Sequence, residues 1–128
     1  MRKIAFISGA TVCLLAVLFG AFGAHALADI IAENNRQDVF ALANRYQFYH
    51  GFGLLFVGIL AGQIELSKSV VLIVVVTMLL GILVFSGSLY ILALTNVSWL
   101  GAITPVGGFL LLVAWSVLIK GVLTDKRI

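Results

Sequence analysis

Apolar residues fill four long stretches of the chain, and polar residues are concentrated in the segments between them. None of the stretches shows the apolar/polar alternation of barrel strands, so each predicts a helix. A helix needs about 20 residues to cross the hydrocarbon core of a bilayer. The pattern therefore predicts an all-α membrane protein, a bundle of four transmembrane helices at about residues 4–27, 46–64, 69–94 and 103–122.

The first connection, from Ala28 to Arg45, is long and polar. Within it, Asn35 followed by Asp38 resembles a helix N-cap with its capping-box partner, and apolar residues then recur at helical spacing. This pattern predicts a short amphipathic helix between spans 1 and 2, on the outer membrane surface, with a disordered loop as the alternative. The sequence shows no repeat or linker, so we expect a single domain, residues 1–128.

Composition supports a membrane location. Hydrophobic residues make up 62% of the 128 residues and charged residues 10%, whereas soluble domains are roughly 45–50% apolar and about 25% charged. The formal net charge is +3, but the basic residues lie at segment ends without clustering, which argues against a nucleic-acid partner. Cys13 has no second cysteine to pair with and is expected to be a small buried hydrophobe.

The basic residues also predict an orientation. If the N-terminus is cytoplasmic, six basic residues face the cytoplasm and two face outward, which is a positive-inside distribution. The six are Arg2, Lys3, Lys68, Lys120, Lys126 and Arg127, and the two are Arg36 and Arg45. We therefore expect both termini to be cytoplasmic.

The first span could instead be a signal peptide, because Ala24-His25-Ala26 resembles a peptidase site. Its apolar core is longer than the roughly 7–15 residues of a signal peptide, which favours retention. Small residues along one stripe of this span also predict close helix packing. This stripe includes Gly9, Gly20 and Gly23, and the later spans offer Gly51, Gly58, Gly62 and Gly81. A surplus of such residues would favour a homo-oligomer or contact with a larger membrane complex.

Polar residues in or beside the spans gather toward the predicted outer face. Such groups are costly in hydrocarbon unless hydrogen-bonded, so we expect them to point into the bundle. This candidate polar cluster comprises His25, Gln47, His50, Ser86, Ser88, Tyr90 and Thr104. Two interpretations are open: structural hydrogen bonds that fix helix register, or a polar cavity that binds a small ligand or a lipid headgroup.

The two histidines allow a third interpretation. His25 and His50 lie at similar predicted depth and could both bind a haem iron. No further ligand stands near them, and two are too few for structural zinc, so we expect neither a metal site nor a cofactor. The spans also carry no charged residue away from their ends, which argues against ion-coupled transport.

Four stretches resemble hallmark stretches of the domain of unknown function 423 family, the YwdK-like and YgdD-like small membrane proteins. They are GAFGAH at 20–25, NRYQFYH at 44–50, FSGSLY at 85–90 and TPVGG at 104–108. The resemblance implies a four-span protein whose first helix is retained, and it extends to transmembrane protein 256 of mitochondria. It implies no activity.

These observations lead to the expectation of a non-enzymatic protein of the bacterial inner membrane, surrounded by membrane lipids. The leading hypothesis is an accessory or structural subunit that packs with itself or with a larger membrane complex. The alternative is a protein that binds a small molecule or lipid at the polar cluster. A haem-binding redox partner is the third.

Overall fold

A computed structural model describes residues 1–125, in which the regular secondary structure is helical, without strands. The elements are α1 (Arg2–Ala24), α2 (Ala28–Glu33), α3 (Gln37–Gln63), α4 (Lys68–Thr95), a 3₁₀ helix (Ser98–Ala102) and α5 (Thr104–Leu123). Three helical segments of the described chain are long and apolar enough to cross a membrane: Arg2–Ala24, Lys68–Thr95 and Ser98–Leu123. The expectation of an all-α protein with several membrane spans is confirmed at this level.

The second predicted span lies within α3, which is not among these three segments. The reason is that its first half carries Asn44, Gln47 and His50, which lower its mean hydropathy. Gln47 and His50 are only 4% and 7% exposed, so their side chains are covered by the rest of the protein. Length and composition alone therefore support three spans and not the predicted four.

The short amphipathic helix is not confirmed as a separate element. Asn35 does not cap a helix but has a left-handed φ of 54°, and Arg36 is the N-cap of α3 without a side-chain cap bond. Residues 37–45 are the first turns of α3 itself. The apolar residues of this segment, among them Phe40 and Ala43, pack against the C-terminal part of α4, which gives them a partner inside the protein.

Consecutive long helices pack side by side and antiparallel: α1 on α3, α3 on α4, and α4 on α5, while α1 also touches α4. Within the described residues, the backbone of α5 comes close to α4 and the 3₁₀ helix but not to α1 or α3. The helices thus form a bent row in which the backbone of α5 lies away from those of α1 and α3. This arrangement leaves one groove between α1 and α4 and another between α3 and α5.

Glycines set the close approach of α1 to α3. A Cβ added to Gly9 would lie 2.8 Å from the carbonyl oxygen of Gly51, and one added to Gly51 would lie 2.6 Å from the sulfur of Cys13. The candidate glycines that face this interface are Gly9, Gly20, Gly23, Gly51, Gly58 and Gly62. Gly81 faces Leu111 of α5. These small residues therefore face other helices of the same chain.

The charged residues separate toward the two ends of the row. The basic end holds Arg2, Lys3, Lys68 and Lys120, and the opposite end holds α2 with Arg36 and Arg45. At the opposite end, the Asn34 side chain donates from Nδ2 to the carbonyl oxygens of Ala93 and Leu94 at 3.0 and 3.1 Å, which caps the end of α4. Lys126 and Arg127, which contribute to the predicted charge asymmetry, lie outside the described residues.

Candidate functional site

Three polar side chains join α1, α3 and α4, and we call them the polar bridge: Asn44, Gln47 and Tyr90. The Tyr90 hydroxyl donates to Gln47 Oε1 at 2.7 Å and accepts from Asn44 Nδ2 at 2.9 Å. Gln47 Nε2 donates to the carbonyl oxygen of Val12 at 3.2 Å, and Asn44 Nδ2 donates to that of Ala16 at 2.7 Å. The three side chains therefore hydrogen-bond to one another and to two backbone carbonyl oxygens of α1.

The serines and the threonine of the candidate cluster form two further links. Ser88 and Thr104 place their hydroxyl oxygens 2.7 Å apart and connect α4 to α5. The Ser86 hydroxyl donates to the carbonyl oxygen of Ala43 at 2.7 Å and connects α4 to α3. In residues 1–125, every buried side-chain nitrogen and oxygen has a hydrogen-bond partner. These contacts favour the structural interpretation for Gln47, Ser86, Ser88, Tyr90 and Thr104.

His25 lies apart from this cluster. It is exposed, and it follows the last residue of α1, where its backbone N–H donates to Phe22. His50 instead faces Trp115 of α5, with ring centroids 6.1 Å apart. The two histidines therefore do not share a site. Within the described chain, no three His, Cys, Asp or Glu residues are grouped so that they could hold a metal ion.

His50 forms no hydrogen bond with the other cluster members. Its Nδ1 lies 2.8 Å from the carbonyl oxygen of Tyr46, one turn earlier in α3. Because a carbonyl oxygen can only accept, Nδ1 carries the proton and donates. In the neutral ring Nε2 is then an acceptor, and it has no hydrogen bond to any described residue. A 7% exposed side chain thus keeps one polar atom open to a ligand.

The His50 imidazole lines the groove between α3 and α5, which we call the histidine groove. Its volume is about 520 Å³, and its lining includes Tyr46, His50, Phe85, Pro105, Gly108 and Trp115. The Tyr46 ring stacks on Phe85 with centroids 4.5 Å apart, and His50 stacks on Tyr46 at 5.8 Å. The groove therefore combines flat aromatic walls with one open nitrogen.

A second depression follows the same two helices from Trp115 toward the basic end. Its volume is about 400 Å³, and its lining includes Phe56, Leu60, Trp115, Leu118, Ile119 and Val122. We call it the apolar trough. Because Trp115 lines both, the trough continues the histidine groove along α5.

The groove between α1 and α4, which we call the Gly87 groove, lies on another face. It consists of two adjoining depressions of about 420 and 380 Å³, both lined by Phe19, Leu83, Gly87 and Tyr90. A Cβ added to Gly87 would meet no atom within 4 Å. This part of α4 is therefore open to the surroundings.

Sequence reasoning missed two residues of these sites. The apolar pattern puts Asn44 in the connection before the second span, although Asn44 lies three residues before Gln47 and hence on the same helical face. Trp115 lies within the fourth apolar stretch, and nothing in the sequence indicates that it faces His50. The three-residue spacing from Gln47 predicts that Asn44 belongs to the polar bridge. That Trp115 faces His50 depends on the rotation of α5 about its axis, which only the structure shows.

Comparison with known proteins gives a consistent set of relatives. A family model described as a protein of unknown function, DUF423, matches residues 19–108. A UPF0382 membrane protein of Staphylococcus saprophyticus is 44% identical over 119 residues, which cover 93% of this chain and 96% of the relative. The UPF0382 membrane protein YwdK of Bacillus subtilis is 43% identical over 117 residues, which cover 91% and 94%. No solved structure matches the chain.

Proposed function

Because the chain belongs to the DUF423 family of membrane proteins, we propose that it is a non-enzymatic protein that binds a small membrane-soluble molecule in the histidine groove. The observation that supports this proposal is the open Nε2 of His50 within an aromatic groove of about 520 Å³. Ligand sites of this kind are concave, mostly apolar and supplied with a few polar groups. The polar bridge, by contrast, is already occupied by its own hydrogen bonds.

The proposal includes four spans. Both α1 and α4 begin at the basic end, so the chain must return from the opposite end between them, and α3 is the segment that does so. Its 27 residues amount to about 40 Å of helix at about 1.5 Å per residue. The first span is retained in this proposal, because Val12 and Ala16 of α1 accept hydrogen bonds from α3.

The positive-inside rule places the basic end in the cytoplasm. Four basic residues, Arg2, Lys3, Lys68 and Lys120, stand at that end. In the proposal, both termini are therefore cytoplasmic, the protein lies in the bacterial inner membrane, and the histidine groove is nearer the outer face.

Native mass spectrometry of the protein extracted from its own membranes tests the binding proposal. Gly108 lines the histidine groove, and a leucine there would fill it. Gly87→Leu is the matched control, because it adds the same side chain to the other groove, where there is free space. We expect a small-molecule adduct on the wild type and on Gly87→Leu, and none on Gly108→Leu. The same adduct on all three proteins would contradict the proposal.

An accessory subunit is the second candidate function, and the Gly87 groove supports it. Gly87 lies one turn from Leu83 and one turn from Ile91, which are 69% and 51% exposed. A small residue between large ones allows a helix of another membrane protein to approach closely. In the same spectra, this function predicts a bound protein subunit on the wild type that Gly87→Leu loses and Gly108→Leu retains.

A further inference from the structure

We infer that the ligand of the histidine groove is a hydroquinone lipid, one of whose ring hydroxyls donates to Nε2 of His50. This inference rests on the proposed binding function and adds the chemical class of the ligand. Its basis is the tautomer of His50, the aromatic walls of the groove and the apolar trough that continues from it.

The tautomer of His50 determines whether its Nε2 binds a hydrogen-bond donor or an acceptor of the ligand. Tyr46 holds the proton of His50 on Nδ1, at 2.8 Å from its carbonyl oxygen, and so leaves a lone pair on Nε2. Nε2 is accessible from the groove rather than buried, because every buried side-chain nitrogen of the described residues has a partner. An acceptor that faces an apolar groove gains from a donor, and a ligand without one leaves the nitrogen unsatisfied. A hydroquinone carries hydroxyl donors, whereas the corresponding quinone has only carbonyl acceptors. The groove should therefore distinguish the reduced form from the oxidised form.

The walls of the groove suit a flat ring. The Tyr46 ring stacks with both Phe85 and His50, at centroid distances of 4.5 and 5.8 Å. Trp115 stands at 6.1 Å from His50, tilted by 57°. Aromatic rings associate in offset or edge-on arrangements at such distances. An aromatic headgroup can therefore contact several faces and edges while its hydroxyl reaches His50.

The apolar trough accounts for a tail. Starting at Trp115, it follows α3 and α5 toward the basic end between side chains such as Phe56, Leu118 and Val122. A hydrocarbon chain attached to the headgroup would lie in this trough. The site therefore fits a ligand with a hydrogen-bond donor on an aromatic headgroup at one end and a hydrocarbon tail at the other. A hydroquinone lipid has this form.

The test uses the purified full chain in detergent and three probes that differ only in the headgroup: decylhydroquinone kept reduced, its dimethyl ether, and decylquinone. A ligand that binds the folded state raises the melting temperature with concentration. We expect decylhydroquinone to stabilise the wild type with an apparent affinity about tenfold higher than the other two probes, which is the worth of one good hydrogen bond.

Two variants locate the effect. His50→Phe keeps a flat ring but removes Nε2, and it should bind all three probes equally weakly. His25→Phe is the matched control at an exposed position and should behave as the wild type does. If His50→Phe does not fold, the three probes on the wild type still decide the question.

The outcomes separate the inference from the function on which it rests. Equal stabilisation by all three probes would mean that only the tail binds, and it would overturn the headgroup assignment. No stabilisation by any probe, together with a native adduct that Gly108→Leu loses, would reject a hydroquinone while the binding function stands. If no probe stabilises the protein and no native adduct is found, both the hydroquinone assignment and the binding function are rejected.

Discussion

The Tyr90 hydroxyl connects the members of the polar bridge, because it donates to Gln47 and accepts from Asn44. Its ring also packs edge-on against Phe19 and Phe40, with centroids 5.2 and 4.9 Å apart. One residue therefore contributes both to hydrogen bonding and to packing among three helices. A substitution that removes only the hydroxyl can separate these contributions.

Tyr90→Phe should lower the free energy of unfolding by about 1 kcal/mol, because Gln47 and Asn44 each lose a partner while the ring contacts remain. Tyr49→Phe is the matched control, since Tyr49 is 59% exposed, and it should leave stability unchanged. Unfolding in mixed micelles with increasing SDS measures both. Equal losses in the two variants would show that the bridge contributes nothing specific.

At this scale the sequence predicts which residues are polar within apolar stretches but not which atoms they meet. Gln47 and His50 are three residues apart on one helix, yet Gln47 bonds to α1 and α4 while His50 faces α5. The partners of Gln47 include a backbone oxygen of α1, which no side-chain pattern reveals. The predicted hydrogen bonds between His50 and the rest of the cluster are therefore absent for a reason that lies in helix packing.

Among the elements, α5 packs tightly against α4 at Gly107. A Cβ added there would collide with the backbone nitrogen of Phe85, which cannot move without shifting α4. The neighbouring Gly108 differs, because its added Cβ would lie 3.7 Å from the Phe85 ring, an ordinary contact. Of these two adjacent glycines, Gly108 can therefore accept a larger side chain and Gly107 cannot.

Gly107→Ala should therefore lower the free energy of unfolding by about 1–3 kcal/mol, the usual range for overpacking. Gly108→Ala should leave it unchanged or raise it by up to about 1 kcal/mol, because alanine favours a helix over glycine. The same SDS titration compares them. The prediction fails if Gly108→Ala is the more damaging of the two.

The sequence predicts the helices well where apolar residues are continuous. It predicts them less well where a helix contains polar residues and is covered by other helices of the protein. The ends of α4 lie within one residue of the predicted third span, whereas α3 begins at Gln37 instead of about residue 46. The difference arises because Phe40 and Ala43 pack on α4, which extends the helix into a segment whose composition resembles a loop. Likewise, the sequence does not distinguish Gly107 from Gly108. The rotation of α5 about its axis determines that Gly107 faces the backbone of α4 and Gly108 does not.

For the whole molecule, the separation of charge between the two ends predicts its orientation in the membrane. A cysteine at Glu33, in α2 at the opposite end, should react with a membrane-impermeant thiol reagent in intact cells. A cysteine at Ser67, beside the basic end, should react only after the membrane is permeabilised. Both variants carry Cys13→Ala to remove the native thiol. Labelling at position 67 alone would reverse the orientation.

The polar bridge also bears on how the chain enters the membrane during synthesis. Helices leave the ribosome in chain order, and the translocon admits each according to its apolarity. In the proposed four-span topology, α3 by itself would bring Asn44 and Gln47 into hydrocarbon without partners, but α1 precedes it and already presents the carbonyl oxygens of Val12 and Ala16. Insertion of α3 in this topology should therefore depend on α1 remaining beside the translocon, where α1 supplies hydrogen-bond acceptors to the helix that follows it.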